Sequence, residues 1–237
     1  RDAPSEQNPM KREFVRLASL LCSAAPACMA QGTTVYYQPA QPMSGLVGLT
    51  LDLNGDGQVD AQFYNASYPS GNYYATGASG VGGARLLVTP QGPYDGGSYL
   101  AALGAGFVIG GPTNEFLFWA AQNAPNGYGQ AAVAGTYLPD EGDLIPDGDF
   151  YGTTAFMGIE FQVASEWYYG WVRIRGGTSG LSDDGQQFYL NPTGWILDWA
   201  YETRPDTPIL AGAIPEPSTS ALLTVGGTLL WLFRRAR

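Results

Sequence analysis

Asp52-Leu-Asn-Gly-Asp-Gly-Gln-Val-Asp60 places oxygen-bearing side chains at loop positions one, three, five and nine, with a glycine at position six. A hard cation such as Ca2+ takes six to eight oxygen ligands, and this spacing wraps Asp52, Asn54, Asp56, the Gln58 carbonyl and Asp60 around one centre. Gly57 supplies the positive φ that so tight a wrap demands. The same Asn-Gly-Asp-Gly is also a good β-turn sequence, so a bound ion and a bare turn are both open readings. Position twelve is Phe63 rather than a bidentate glutamate, and the flanking residues alternate like strands. An ion here would act as a structural staple rather than as a catalyst.

The loop resembles the calcium loops found in β-proteins. A second acidic run, Asp140-Glu-Gly-Asp-Leu-Ile-Pro-Asp-Gly-Asp149, has carboxylates at irregular spacing and reads as a solvated loop.

Catalytic chemistry has little to build on. The chain contains no histidine, which removes His-based triads and His-ligated zinc or copper. Glu115, Glu160, Glu166 and Glu202 are candidate carboxylates for a glycosidase pair, but their spacing does not set any two across a cleft. No nucleophile elbow, P-loop or zinc signature is present. The expectation is a protein that is not an enzyme.

The elements that must carry the loop are strands. Gly, Asn, Ser and Pro recur between short apolar or alternating runs, and no long stretch has a capped helical period. Val47, Leu49, Leu51 and Leu53 alternate with polar or small residues, and Met157, Ile159, Phe161 and Val163 do so with Gly158, Glu160 and Gln162 outside. Further strands are expected over 62–66, 84–89, 99–109, 167–175 and 195–202. Glu115-Phe-Leu-Phe-Trp-Ala120 is apolar on both faces and is expected at the centre of a sheet. Segments 68–83 and 123–135, rich in Gly with Ser and Tyr or with Asn and Ala, read as loops. The fold class expected is all-β, a two-sheet sandwich of jelly-roll type, with helices confined to the two ends of the chain.

Two aromatic strands stand out. Trp167, Tyr169 and Trp171 share a face with Arg173 and Arg175, while Trp195, Leu197, Trp199 and Tyr201 share a face of the later strand. Exposed aromatic rings stack on the apolar side of a pyranose, which makes Trp167 and Trp171 candidate glycan contacts. The alternative is that they fill the core. Trp199 and Tyr201 are expected to do so.

Both ends read as removable labels. Residues 1–9 are polar, precede a plausible start Met10, and read as an upstream mis-translation. Residues 10–30 have a basic start, an apolar middle and small residues before Gln31, the order of a signal peptide cut by signal peptidase after Ala30. A lipid on Cys28 is a weaker alternative. At the other end stand Pro215-Glu-Pro217, the apolar run Ala221 to Phe233, and Arg234, Arg235 and Arg237. As a helix that run would reach only roughly 20 Å, short of the ~30 Å hydrocarbon core, with its basic end held on the cytoplasmic side. This order resembles the PEP-CTERM sorting signal over residues 214–237, and the pairing of Tyr-Gly-Trp-Val-Arg-Ile with Asp-Trp-Ala-Tyr-Glu-Thr resembles the globular part of such proteins. The resemblance implies recognition by an exosortase, cleavage near the Pro-Glu-Pro, and a passage through the inner membrane of a Gram-negative bacterium.

Between the labels lie residues 31–213, about 180 residues and enough for one domain with a sizeable core. Cys22 and Cys28 both fall in the signal, so the domain forms no disulfide. Its 17 acidic residues face only Arg85, Arg173, Arg175 and Arg204, a net charge of −13. Nucleic acid, whose binding needs phosphate neutralisation, is therefore not an expected partner, whereas cations and neutral polysaccharide suit this surface. The leading expectation is a non-catalytic surface or extracellular-matrix protein working alongside exopolysaccharide. The alternative is a lectin-like module with structural calcium.

Overall fold

A computed structural model describes residues 34–43, 48–67, 73–90, 98–111, 113, 116–121, 131–137, 145–178, 180–181, 188–189 and 194–215. The chain divides into two compact units, residues 1–33 and 34–237, and the first lies outside the described residues, as does everything from Glu216 onward. The helices expected at the two ends fall there.

Within the second unit the described elements are all strands. They are β1 (Thr34–Tyr37), β2 (Gln41–Met43), β3 (Leu49–Leu51), β4 (Ala61–Ser67), β5 (Tyr73–Gly80) and β6 (Arg85–Thr89). Next come β7 (Ser98–Leu100), β8 (Val108–Ile109), β9 (Phe118–Ala121), β10 (Ala131–Tyr137) and β11 (Ile145–Asp147). The last six are β12 (Thr154–Val163), β13 (Glu166–Gly176), β14 (Gly180–Leu181), β15 (Phe188–Tyr189), β16 (Gly194–Glu202) and β17 (Ile209–Leu210).

Thirteen of these join one mixed sheet in the order β1-β16-β13-β12-β6-β7-β10-β5-β4-β3, with β2, β9 and β11 attached beside it. Only the β7–β10 pair is parallel within it. The sheet curls until its far ends meet. Leu53, just beyond the terminal strand β3, is fully buried, and its carbonyl accepts the indole N–H of Trp199 on β16 at 3.2 Å. Gly170 on β13 leaves room for it, because a Cβ there would lie 3.1 Å from Leu53 Cδ2. The enclosed face is the main core, built from Leu51, Phe63, Leu86, Val88, Leu100, Val133, Met157, Ile159, Phe161, Val172, Ile174 and Ile196 among others.

A second apolar layer covers the outer face. Leu87, Leu103, Ile109, Trp171, Ala200 and Ile209 cluster there, roofed by the chain around β8 and β17. The two-residue pairing of β17 with β8, Ile209 to Ile109 and Leu210 to Val108, pins the end of the domain onto this roof.

Met157, Ile159 and Phe161 of β12 face the main core as expected, as do Val172 and Ile174 of β13, but Gly158 and Glu160, expected outside, are buried as well, Gly158 against Leu87 and Leu103 of the second cluster. Several expectations need correction. Segments 68–83 and 123–135, expected to be loops, contain all of β5 and the first part of β10, in which Ala75–Gly80 and Ala131–Thr136 are buried throughout. Their small Ala, Gly, Ser and Thr side chains let the strands sit in a crowded interior, where packing outweighs weak strand propensity. The strand expected over 99–109 is broken into β7 and β8 by a turn at Gly104–Phe107. The strand expected centrally at 115–120 is β9, which pairs only with β6 among the described residues. It is apolar on both sides because Ala120 meets the main core while Leu117 and Trp119 meet the second cluster.

Candidate functional site

The loop of residues 52–60 is a tight excursion between β3 and β4. Leu51 pairs with Ala61, and the Asp60 N–H donates to the Leu51 carbonyl at 2.9 Å, so the two ends of the loop are clasped. Inside the clasp the side-chain oxygens accept from the loop's own backbone. Asp52 takes the N–H groups of Gly55 at 2.7 Å and Gly57 at 2.8 Å through its two oxygens. Asn54 Oδ1 accepts from Asp56 N at 3.0 Å, and Asp56 Oδ1 from Gln58 N at 2.8 Å. Gly55 and Gly57 have φ of 76° and 86°, which permits the wrap.

Asp60 differs from the other loop acids in being buried, with Oδ2 accepting from Leu53 N at 2.8 Å. Burial pushes its carboxyl up to about 6; the Leu53 N–H opposes this, while Asp56 and Asp52 add to it. Among the described residues, no three acidic side chains converge into a ready metal-holding group. The donor set is all oxygen, and a carboxylate oxygen that accepts one N–H keeps a second lone pair, so its chemistry fits a hard cation.

The structure separates the aromatic candidates. Trp171 is 1% exposed, edge-on to Phe156 at 5.2 Å and tilted against Tyr36 at 6.1 Å. Its faces are closed to a sugar, because the second cluster covers this side of β13; the glycan role expected for Trp171 is corrected to packing. Trp167 is partly exposed, and the Arg85 guanidinium lies 3.9 Å over its ring. On β16 the shared face of Trp195, Leu197, Trp199 and Tyr201 does not exist. The register with β13 slips between Arg173 and Ile174, leaving Leu197 as an extra residue on β16. Past this bulge Trp199 joins the main core, Tyr201 packs against it, and Trp195, 39% exposed, stays outside.

The candidate glutamates fall in different settings. Glu166 is exposed and Glu115 lies outside the described residues. Glu160, expected on the outside, is 3% exposed, with Oε1 2.5 Å from Arg85 Nε. Glu202 is buried beside Arg204, Nε to Oε1 3.2 Å. Buried Asp198 is held by Arg173, whose Nε donates to Oδ1 at 2.9 Å, and by the Tyr36 hydroxyl at 2.8 Å. Three of the four arginines of residues 31–213 thus stand beside a buried acid: strand pairing brings Arg85 to Glu160 and Arg173 to Asp198, whereas Arg204 is only two residues from Glu202. The second acidic run is not wholly a solvated loop: Asp147 lies on β11 and accepts from the Tyr99 hydroxyl at 2.6 Å.

At the chain's exit, Ile209 and Ala211 are buried and Ala213 N donates to the Leu210 carbonyl at 2.9 Å, after which Ile214 and Pro215 are exposed. Glu216, Pro217, Arg234 and Arg235 lie outside the described residues. No helix among the described residues is long and apolar enough to cross a membrane. No family model, curated protein or solved structure matches this chain.

Proposed function

We propose that the chain is an exported, exosortase-processed surface or extracellular-matrix protein of a Gram-negative bacterium. It is non-catalytic and works alongside exopolysaccharide. Signal peptidase removes residues up to Ala30, the C-terminal segment holds the protein at the inner membrane, and an exosortase acts near Pro215-Glu-Pro217. The observation that supports this reading is the exit. Backbone bonds and burial fix the chain through Ala213, and Ile214 and Pro215 are exposed, which leaves the first residue of the motif open to a processing enzyme. On this reading the curled sheet works as a two-layered sandwich of jelly-roll type. Mass spectrometry of the protein from its own cell tests the processing: a C-terminus near the Pro-Glu-Pro is expected, and one still at Arg237 overturns it. Release of reducing ends from any polysaccharide would overturn the non-catalytic part.

The pre-wrapped loop supports a structural Ca2+ in the same reading, held by Asp52, Asn54, Asp56, Asp60 and the Gln58 carbonyl. In a domain without disulfides the ion would supply a cross-link between β3 and β4. Calorimetry is expected to show a higher melting temperature with Ca2+ and no such rise for Asp56→Ala. Identical melting of the natural chain with and without Ca2+ rules the ion out.

A further inference from the structure

The end of the domain from which the chain departs carries an apolar tip with no buried role. Val108 and Leu210 face each other across the β8–β17 ladder. Their inward neighbours Ile109 and Ile209 are sunk in the second cluster, whereas Val108 and Leu210 are themselves 50% and 49% exposed. Phe107, 39% exposed, adjoins them, and Ile214, 58% exposed, follows directly along the chain. Two backbone bonds fasten the loop of Gly104–Val108 to the final turn: Gly106 N to Ala211 O and Ala211 N to Phe107 O, both at 2.8 Å. Neither stretch is charged. Ser98 to Asn114 and Thr207 to Pro215 contain no acid or base, in a domain whose net charge over residues 31–213 is −13.

We propose that this tip is a membrane-contacting surface, with Phe107, Val108, Leu210 and Ile214 meeting the lipid interface while the chain is still held at its C-terminal end. The inference rests on the reading of that end as a membrane-held segment. Only residues 216–220 separate Pro215 from the apolar run beginning at Ala221, a reach of at most about 22 Å. Whatever orientation the domain takes, its exit point is kept close to the bilayer, and there apolar side chains are exposed on a stretch, Thr207 to Pro215, that carries no charge between Asp206 and Glu216. Ionised carboxylates elsewhere on the surface keep their hydration and stay in water, which leaves this end as the face that approaches the bilayer.

Single cysteines carrying an environment-sensitive dye test this in the full chain with Cys22→Ser and Cys28→Ser. Val108→Cys and Leu210→Cys report the tip, Ile145→Cys is an exposed apolar control on β11, and Leu229→Cys reports the C-terminal run. In phosphatidylcholine vesicles, blue-shifted emission quenched by nitroxide-bearing lipid is expected at 108, 210 and 229 and not at 145. Quenching at 229 with water-like emission at 108 and 210 overturns the tip alone. No quenching at 229 overturns the membrane-held reading and the tip with it. Blue-shifted emission at 108 and 210 before any vesicle is added shows the tip covered by protein and also overturns the proposal. Both tip positions are exposed, so the substitutions leave the core intact.

Discussion

A carboxyl that loses water on folding gives up ion hydration that a single nearby cation replaces only in part. Glu160 is in this position. Burial pushes its carboxyl up to about 7 from 4.5, with Arg85 pulling the other way. Arg85 Nε and Glu160 Oε1 are close but not aligned as a hydrogen bond, so the contact is Coulombic and its compensation incomplete. Between about pH 4.5 and about pH 7 the folded state therefore keeps a proton that the unfolded chain releases, and stability falls as pH rises through that window. Glu160→Gln has no proton to lose. Its melting temperature is expected to be flatter than the natural protein's from about pH 5 to about pH 7, the difference amounting to about 1–2 kcal/mol. Parallel pH profiles for the two proteins would contradict this. Nothing in Met157 to Val163 announced the burial of Glu160: the residue occupies an outward position by alternation, and the arginine that meets it comes from β6.

At the scale of elements, the β12–β13 hairpin turns on two residues in an unusual conformation. Val163 pairs with Glu166, leaving Ala164 and Ser165 as the loop, with φ of 51° and 72°. A two-residue turn with both φ positive matches the twist of the strands, but alanine and serine are strained there where asparagine and glycine are not. Ala164→Asn with Ser165→Gly is expected to stabilise the domain by about 1–2 kcal/mol, read as a higher urea midpoint at unchanged slope. An unmoved or lowered midpoint would show that the turn is not strained. This hairpin also shows what the sequence made visible. Period-two alternation in 157–163 and 167–175 marked both strands, because one face of each enters a large apolar core. The Ala-Ser turn was silent, since neither residue type signals positive φ. The acidic loop was legible by spacing, and the extra residue Leu197 was not, because a bulge is set by the partner's register rather than by its own side chain. β5 and β10 were hidden by small residues that become strand only where the interior is crowded.

For the molecule as a whole, Cys22 and Cys28 lie in the first unit, so no disulfide closes the curled sheet on itself, and burial and hydrogen bonds carry its closure. Its closure depends on a few contacts between strands at opposite ends of the path, and Leu53 is central among them. The side chain is fully buried against Gly170, and the adjoining carbonyl takes the Trp199 indole N–H. Leu53→Ala removes the plug, leaves both hydrogen-bonding groups in place, and opens a void that the surrounding strands fill only partly. The expected cost is about 2–5 kcal/mol. If closure makes the sheet one cooperative unit, the loss appears as a shift of a single urea transition, with β3 and β4 unfolding together with β12, β13 and β16. Hydrogen exchange separates this from the alternative: equal loss of protection in β4 and β13 is the expected result. Loss confined to β3, β4 and their loop would mean that the curled end is a flap on an independently stable sheet.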